Sequence, residues 1–267
     1  MRSRAAAALA AGWGAAPFHC GLWGDAGGGR IRPPMISRLP RWVWFGSAIL
    51  ALIAGAINAI GFLGFQHQGL THLTGSTTLL GIAVARHAGG EMLHFCTVIG
   101  FFFGGCVFSG FLLRDSALKL GRRYGVALAF ESALLFGATL LLRRSHGLGL
   151  DLASCACGLQ NGMVSTYSGA VLRTTHVSGI FTDLGIFLGQ TLRGVAVDGR
   201  RVRLYLLLLG AFFSGAVLGT WGYMHLGYAT LYIPASLTGF VGLAYGAYGH
   251  VRRAEPELGA AAKQYGR

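Results

Sequence analysis

The chain has 267 residues, 53% of them hydrophobic and only 12% charged, with 44 glycines and a formal net charge of +13. Long apolar runs recur along it, so a soluble fold is excluded and the lipid bilayer becomes its first partner. The basic excess falls between apolar runs and in the tails, at Arg114, Lys119, Arg122 and Arg123, then Arg193, Arg200, Arg201 and Arg203, then Arg252 and Arg253. That distribution holds loops on the cytoplasmic side and leaves no soluble face for nucleic acid.

In chain order, residues 1–40 stand apart, with Gly27-Gly28-Gly29, Pro33-Pro34, scattered arginines and no long apolar run. They are expected to be a disordered cytoplasmic tail or a mis-assigned start, since Met35-Ile36-Ser37-Arg38 ahead of Trp42 has the form of a membrane-protein N-terminus. Residues 41–250 form one membrane domain and 251–267 a second cytoplasmic tail.

Trp42 to Phe65 holds no charge over 24 positions, enough to cross a hydrocarbon core of about 30 Å. Phe95 to Leu113, Val126 to Leu142, Leu152 to Leu172, Leu204 to Met224 and Tyr228 to Tyr248 are the further long candidates. Cys96, Cys106, Cys155 and Cys157 fall inside these runs, without the spacing of a redox or zinc pair, and are expected to be buried small thiols rather than metal ligands. No cofactor is implied.

The domain contains an internal tandem repeat. His72 to Ile82 (HLTGSTTLLGI) and His176 to Ile186 (HVSGIFTDLGI) are identical at six of eleven positions. Upstream, Gly55-Ala56-Ile57-Asn58 answers Gly158-Leu159-Gln160-Asn161. Downstream, Gly105 to Gly110 (GCVFSG) answers Gly210 to Gly215 (GAFFSG). Repeat 1 covers about 42–144 and repeat 2 about 150–250, each a long helix, a short motif segment and two helices. A doubled polar, glycine-containing motif in a membrane protein points to a central site.

The motif segments, Thr71 to Ala85 and Thr174 to Gln190, are short for a span. The fold class is an all-α integral membrane protein with either six spans plus two re-entrant or interrupted segments, or eight spans. Eight crossings put the Arg114–Arg123 loop outside. Six put it, the Thr191–Arg203 loop and both termini in the cytoplasm, and leave only Arg86, Arg143 and Arg144 outside, which fits the charge rule better. Three crossings per repeat also orient the repeats oppositely.

Thr74 and Ser178 are expected N-caps, followed by Gly75 and Gly179, where backbone can approach a ligand. A helix starting there offers free N–H groups to an anion or a carbonyl. His72 and His176 sit two residues earlier and can bind or relay a proton. Ser76, Asn58, Gln160 and Asn161 complete the polar set, as cavity lining or as glue between helices. Asp183, opposite Leu79 in the first motif, is the candidate for ion or proton coupling, with Arg173 as counter-charge. Glu131 is either a second such carboxylate or an interfacial partner of Arg122 or Arg123. Gly100 with Gly104, Gly215 with Gly219 and Gly242 with Gly246 have the four-residue spacing of close helix contact, within one chain or in a homo-oligomer. Motifs for phosphate binding, zinc proteolysis or serine hydrolysis are missing, so no enzyme is expected.

Asn58, Thr74-Gly75, Gly158 to Asn161 and Thr174-Thr175-His176-Val177-Ser178-Gly179 together resemble the YoaK-like family of bacterial multi-pass inner-membrane proteins, grouped as a domain of unknown function. The resemblance runs from about Trp42 to His250. This chain departs from the family in having Asn58 for Asp, Ser76 for Asn and Ser178 for Thr. The resemblance implies a bacterial plasma-membrane location and no established activity. The expected function is transport of a small polar or anionic solute through a pseudo-symmetric central site; the alternative is a non-transporting membrane scaffold or partner subunit.

Overall fold

The computed structural model describes residues 41–64, 69–71, 73–113, 122–168 and 174–245, all in one compact unit that begins at Met35. Both tails, His72, Arg114, Lys119, Arg173, Gly246, Arg252 and Arg253 lie outside the described residues. The described chain is all-helical, with α1 (Arg41–Gly64), α2 (Thr74–Ala85), α3 (Gly89–Leu112), α4 (Arg122–Leu142), α5 (Leu148–Ser168), α6 (Val177–Leu192) and α7 (Gly199–Leu226). A 3-10 turn at Gly227–Leu231 leads into α8, residues 232–245.

Four stretches are long and apolar enough to cross a membrane: Val43–Gly64, Gly89–Leu112, Arg123–Leu142 and Gly199–Tyr245. The last holds α7 and α8, separated where Gly227 takes φ +57°, a left-handed conformation that suits glycine and ends α7. Helix α5 has 21 residues, as α4 does, with Asp151 in its first turn. The 12 residues of α2 and 16 of α6 reach only about 18 and 24 Å, short of a full crossing.

Two hydrophobic clusters fix the helix directions. One joins the starts of α1, α4 and α7 (Val43, Tyr124, Leu204) to the ends of α3 and α5 (Leu113, Val164), with Tyr245 of α8 against it. The other joins the later halves of α1 and α4 (Ile60, Leu142) to the starts of α3, α5 and α8 (Val98, Leu150, Ala235). Helices α1, α4 and α7 therefore run one way, and α3, α5 and α8 the other. The chain leaves α1 and enters α3 at the same end, so α2 between them turns back. The same holds for α6 between α5 and α7. Helix direction thus counts against the eight-span alternative: α1, α3, α4, α5, α7 and α8 alternate in direction, and α2 and α6 turn back between them. Arg123, Arg193, Arg200, Arg201 and Arg203 belong to the first end, and Arg86, Arg143 and Arg144 to the second.

The long helices pack backbone against backbone. Helix α1 lies along α7: a Cβ on Gly55 would run into the carbonyl of Phe212, and one on Gly215 into that of Leu52. Helix α3 lies along α5 in the same manner, with Gly158 against the carbonyl of Phe102 and Gly105 against that of Cys155. Small residues permit this approach, and dispersion between close backbones holds it. The contacts correct the expected downstream alignment. They match Gly105 with Gly215, not Gly210, because α7 begins at Gly199, 110 residues after α3 at Gly89, whereas Gly179 follows Gly75 by 104. The added residues lie in the longer α6 and the Arg193–Asp198 connection.

Helices α4 and α8 cross antiparallel. Ser132 Oγ donates to the carbonyl of Ala235 at 2.7 Å, and a Cβ on Gly242 would stand 3.1 Å from the carbonyl of Gly125. Glu131 is not interfacial as the pairing with Arg122 or Arg123 required. It is 1% exposed, midway along α4, while Arg123 is exposed at the end. Of the glycine pairs, Gly215 and Gly219 pack against Leu52 and Ala56, whereas no described atom lies within 4 Å of a Cβ on Gly100 or Gly104. Cys157 is buried, Cys106 and Cys155 are half-buried, and Cys96 is exposed, so burial holds for only part of the thiols.

Candidate functional site

The two re-entrant helices start near each other at the middle of the bundle. Just before α2, Thr71 is buried, and both its backbone N–H (3.4 Å) and its Oγ1 (3.1 Å) donate to Asn58 Oδ1 on α1. Just before α6, Thr175 Oγ1 donates to Asn161 Oδ1 on α5 at 2.5 Å. The same amide–hydroxyl bond is thus made twice. A third bond ties the pair together: Asn161 Nδ2 donates to the carbonyl of Thr71 at 3.1 Å, and also to that of Cys157 at 3.1 Å. In a bilayer these amides have no water to turn to, so mutual satisfaction fixes where both re-entrant segments begin.

Above this knot lies a cleft of about 620 Å³, lined by Thr71, Leu73, Thr74, Thr77, Thr78, Phe102, Asn161, Ser165, Thr175 and His176. Among the described residues, hydroxyls, one amide and one imidazole face it, and no carboxylate does. Neither helix that starts there has a side-chain cap. The expected N-caps are corrected: Leu73 occupies the cap of α2 and His176 that of α6, with Thr74 and Ser178 already inside their helices. The hydroxyl of Thr78 turns back to the carbonyl of Thr74 (2.9 Å), and that of Thr182 to the carbonyl of Ser178 (3.0 Å), so these bonds run within the helices. At α6 the Val177 N–H donates to the carbonyl of Thr175 at 3.0 Å; the other N–H groups of a first turn lack an intrahelical partner, which suits a helix start to an anion or a carbonyl oxygen.

Of the expected site residues, Thr74, Asn161 and His176 line the cleft, and Asn58 holds its floor through Thr71. Gly179 has a positional reason: a Cβ there would strike the His176 ring, which folds back over the first turn of α6. At Gly75 no described atom lies within 4 Å of a Cβ. Gln160 is fully buried and reaches from α5 to the carbonyl of Leu50 on α1 at 3.4 Å, outside the lining. Ser76 is buried with its Oγ unpartnered, and Ser178 is exposed beyond the lining. Asp183 is not in the cleft; its Oδ2 accepts from Tyr205 Oη at 2.9 Å and ties α6 to α7. Leu73, Thr77, Thr78, Phe102 and Ser165 also line the cleft and were not expected, and Thr71 and Thr175 were missed although a visible signal existed: a threonine directly precedes each motif histidine. Among the described residues no three His, Cys, Asp or Glu side chains gather as a metal site requires.

No curated protein and no solved structure matches the chain. The sequence profile of a family described as protein of unknown function, DUF1275, matches residues 46–244. The chain belongs to that family.

Proposed function

We propose that this member of DUF1275 is a membrane permease for a small anionic or polar solute, built from two copies of one unit with opposite orientations. The single observation that carries the proposal is the knot of Asn58, Thr71, Asn161 and Thr175 at the floor of the cleft, where both re-entrant segments begin. The duplication draws support from the paired contacts. Gly125 and Ser132 on α4 stand 110 residues before Ala235 and Gly242 on α8, and each helix offers the other the same pair of positions. Equivalent helices that cross antiparallel are related by an axis lying in the membrane plane, as in inverted-repeat transporters. The chemistry of the solute follows from the lining. Two uncapped helix N-termini and several hydroxyls, with no carboxylate, favour a small anion or a neutral hydrogen-bonding molecule. His176 at the cap of α6 is the titratable group among the described lining residues. The chain performs no covalent chemistry in this assignment. The bunching of arginines at one end supports a reading in which that end faces the cytoplasm, the side that retains basic loops.

Flux into proteoliposomes tests the assignment, using a panel of halide, nitrate, carboxylate, phosphate, urea and polyol probes. Flux of at least one probe is expected, and His176→Ala or Thr78→Val is expected to change it, whereas Asp183→Asn, outside the cleft, is expected to leave it intact. No flux across the panel, or flux indifferent to both lining substitutions, overturns it. A second function has one observation in its favour. Asn161 spends all its observed bonds inside the protein, as a residue that only locks helices would. A scaffold of that kind predicts that the lining substitutions change stability alone.

A further inference from the structure

Glu131 lies outside the cleft and takes no part in it. It sits nine residues after Arg122 and eleven before Leu142, about 14 to 16 Å from either end of α4 at 1.5 Å per residue. It is 1% exposed, and its Oε2 has no hydrogen-bond partner among the described residues. The antiparallel crossing with α8 sets what stands beside it. Ser132 meets Ala235 and Gly239, and Leu128 meets Gly242, which brings Thr238 level with Glu131 on the packed face of α8. Thr238 is fully buried, and its Oγ1 is also unpartnered. The polar layer at mid-helix therefore consists of Glu131, Ser132 and Thr238.

Among the described residues, the groups packed around Glu131 bring no counter-charge. From α5, the titratable group near Glu131 is the buried thiol of Cys157, while Asp151 interacts with His94 of α3. The α8 positions packed on α4, Ala235, Gly239 and Gly242, are uncharged. Helix α3 meets α4 through Phe108 on Phe130, and Tyr228 of the 3-10 turn gives its hydroxyl to the carbonyl of Gly64. An ionised carboxylate at such depth is costly without a partner, whereas the neutral acid needs only a hydrogen-bond acceptor.

We propose that Glu131 is a proton-binding site of the membrane interior, separate from the solute cleft. The proton is carried on Oε2. When it leaves, the carboxylate that remains has the hydroxyl of Thr238 as the donor at hand, since Ser132 gives its one hydroxyl proton to the carbonyl of Ala235. The site rests on the burial of Glu131 and not on the permease assignment, so the two can fail separately.

Dicyclohexylcarbodiimide tests it, because this apolar reagent attacks protonated carboxyls within membranes. The acid proton passes to a carbodiimide nitrogen and the carboxyl oxygen adds to the central carbon. The acyl group then migrates to nitrogen, giving a stable N-acylurea with no group lost. The full chain in lipid vesicles is treated over a range of pH, and the peptide containing Glu131 is followed by mass spectrometry. Label on Glu131 is expected at neutral pH, declining as the medium is made alkaline, and absent in Glu131→Gln. Should Glu131→Gln fail to fold, the pH profile of the wild-type peptide decides alone. An unlabelled Glu131 at every pH overturns the proposal. So does labelling abolished by sodium ions at constant pH, which assigns the layer to a metal cation instead.

Discussion

The long-helix seams and the two re-entrant helices use the same residue, glycine, in opposite ways. Along α1–α7 and α3–α5, Gly55, Gly105, Gly158 and Gly215 lie against backbone atoms of the neighbouring helix. On α2 and α6, Gly81, Gly185 and Gly189 have no described atom within 4 Å of where a Cβ would stand. In the first setting glycine removes bulk so that two helices can join; in the second it leaves a helix flank bare. The difference separates a rigid scaffold from two short helices that are tied at their starts by polar bonds and packed along one flank only, as where Asp183 and Phe187 of α6 meet Tyr205 of α7. Short helices tied by a few polar bonds are the parts of a fold that open at lowest cost.

The largest test of this contrast is a matched pair of substitutions. Gly158→Leu is expected to cost at least about 3 kcal/mol, enough to abolish a monodisperse folded protein, because the obstructing atoms are backbone and cannot give way. Gly185→Leu is expected to stay within about 0.5 kcal/mol of wild type. Thermal unfolding in detergent followed by size-exclusion chromatography measures both, and equal losses at the two sites would erase the distinction. Next in size is Asn161→Ala, which removes the bonds to Thr71, Cys157 and Thr175 and is expected to cost about 2–3 kcal/mol in the same assay. A cost near zero would mean that the re-entrant segments are held by packing alone. Tyr205→Phe, which deletes the bond to Asp183, is expected to cost about 1 kcal/mol and to loosen α6 in amide exchange. The smallest effect belongs to Ser178→Ala, below about 0.5 kcal/mol, since Ser178 is the second helical residue of α6 and not its cap. A loss of more than about 1 kcal/mol would restore Ser178 as a cap.

Much of the fold was legible in the sequence because membrane crossing depends on length and apolarity, and re-entrance on brevity and loop charge. The balance of Arg86, Arg143 and Arg144 against the other arginines already favoured six spans, and the helix directions agree. Legibility failed where register matters. The GCVFSG and GAFFSG hexapeptides look like counterparts, yet packing pairs Gly105 with Gly215, because lengthening of α6 and its connection shifts everything after it. Asn58, Asn161, Thr74 and His176 were identified from polarity inside apolar runs and from repetition. Asp183 drew attention by its charge, but charge says nothing of direction around a helix, and its carboxylate turns to Tyr205. Capping failed at Thr74 and Ser178 for a related reason: a hydroxyl within the first turn can bond its own helix or a neighbour as well as the backbone start, and only the φ and ψ values at Leu73 and His176 show where each helix begins.

The amide of Asn161 acts as a linkage in the mechanical sense. One side chain grips the carbonyl of Thr71 and the hydroxyl of Thr175, so the starts of α2 and α6 share a single joint. A displacement of either start by more than about 1 Å stretches one of these bonds past useful length and so pulls on the other. In the permease proposed above, two gates connected this way would not keep independent time, and the coupling would run through a few ångströms of side chain without any rearrangement of the glycine seams.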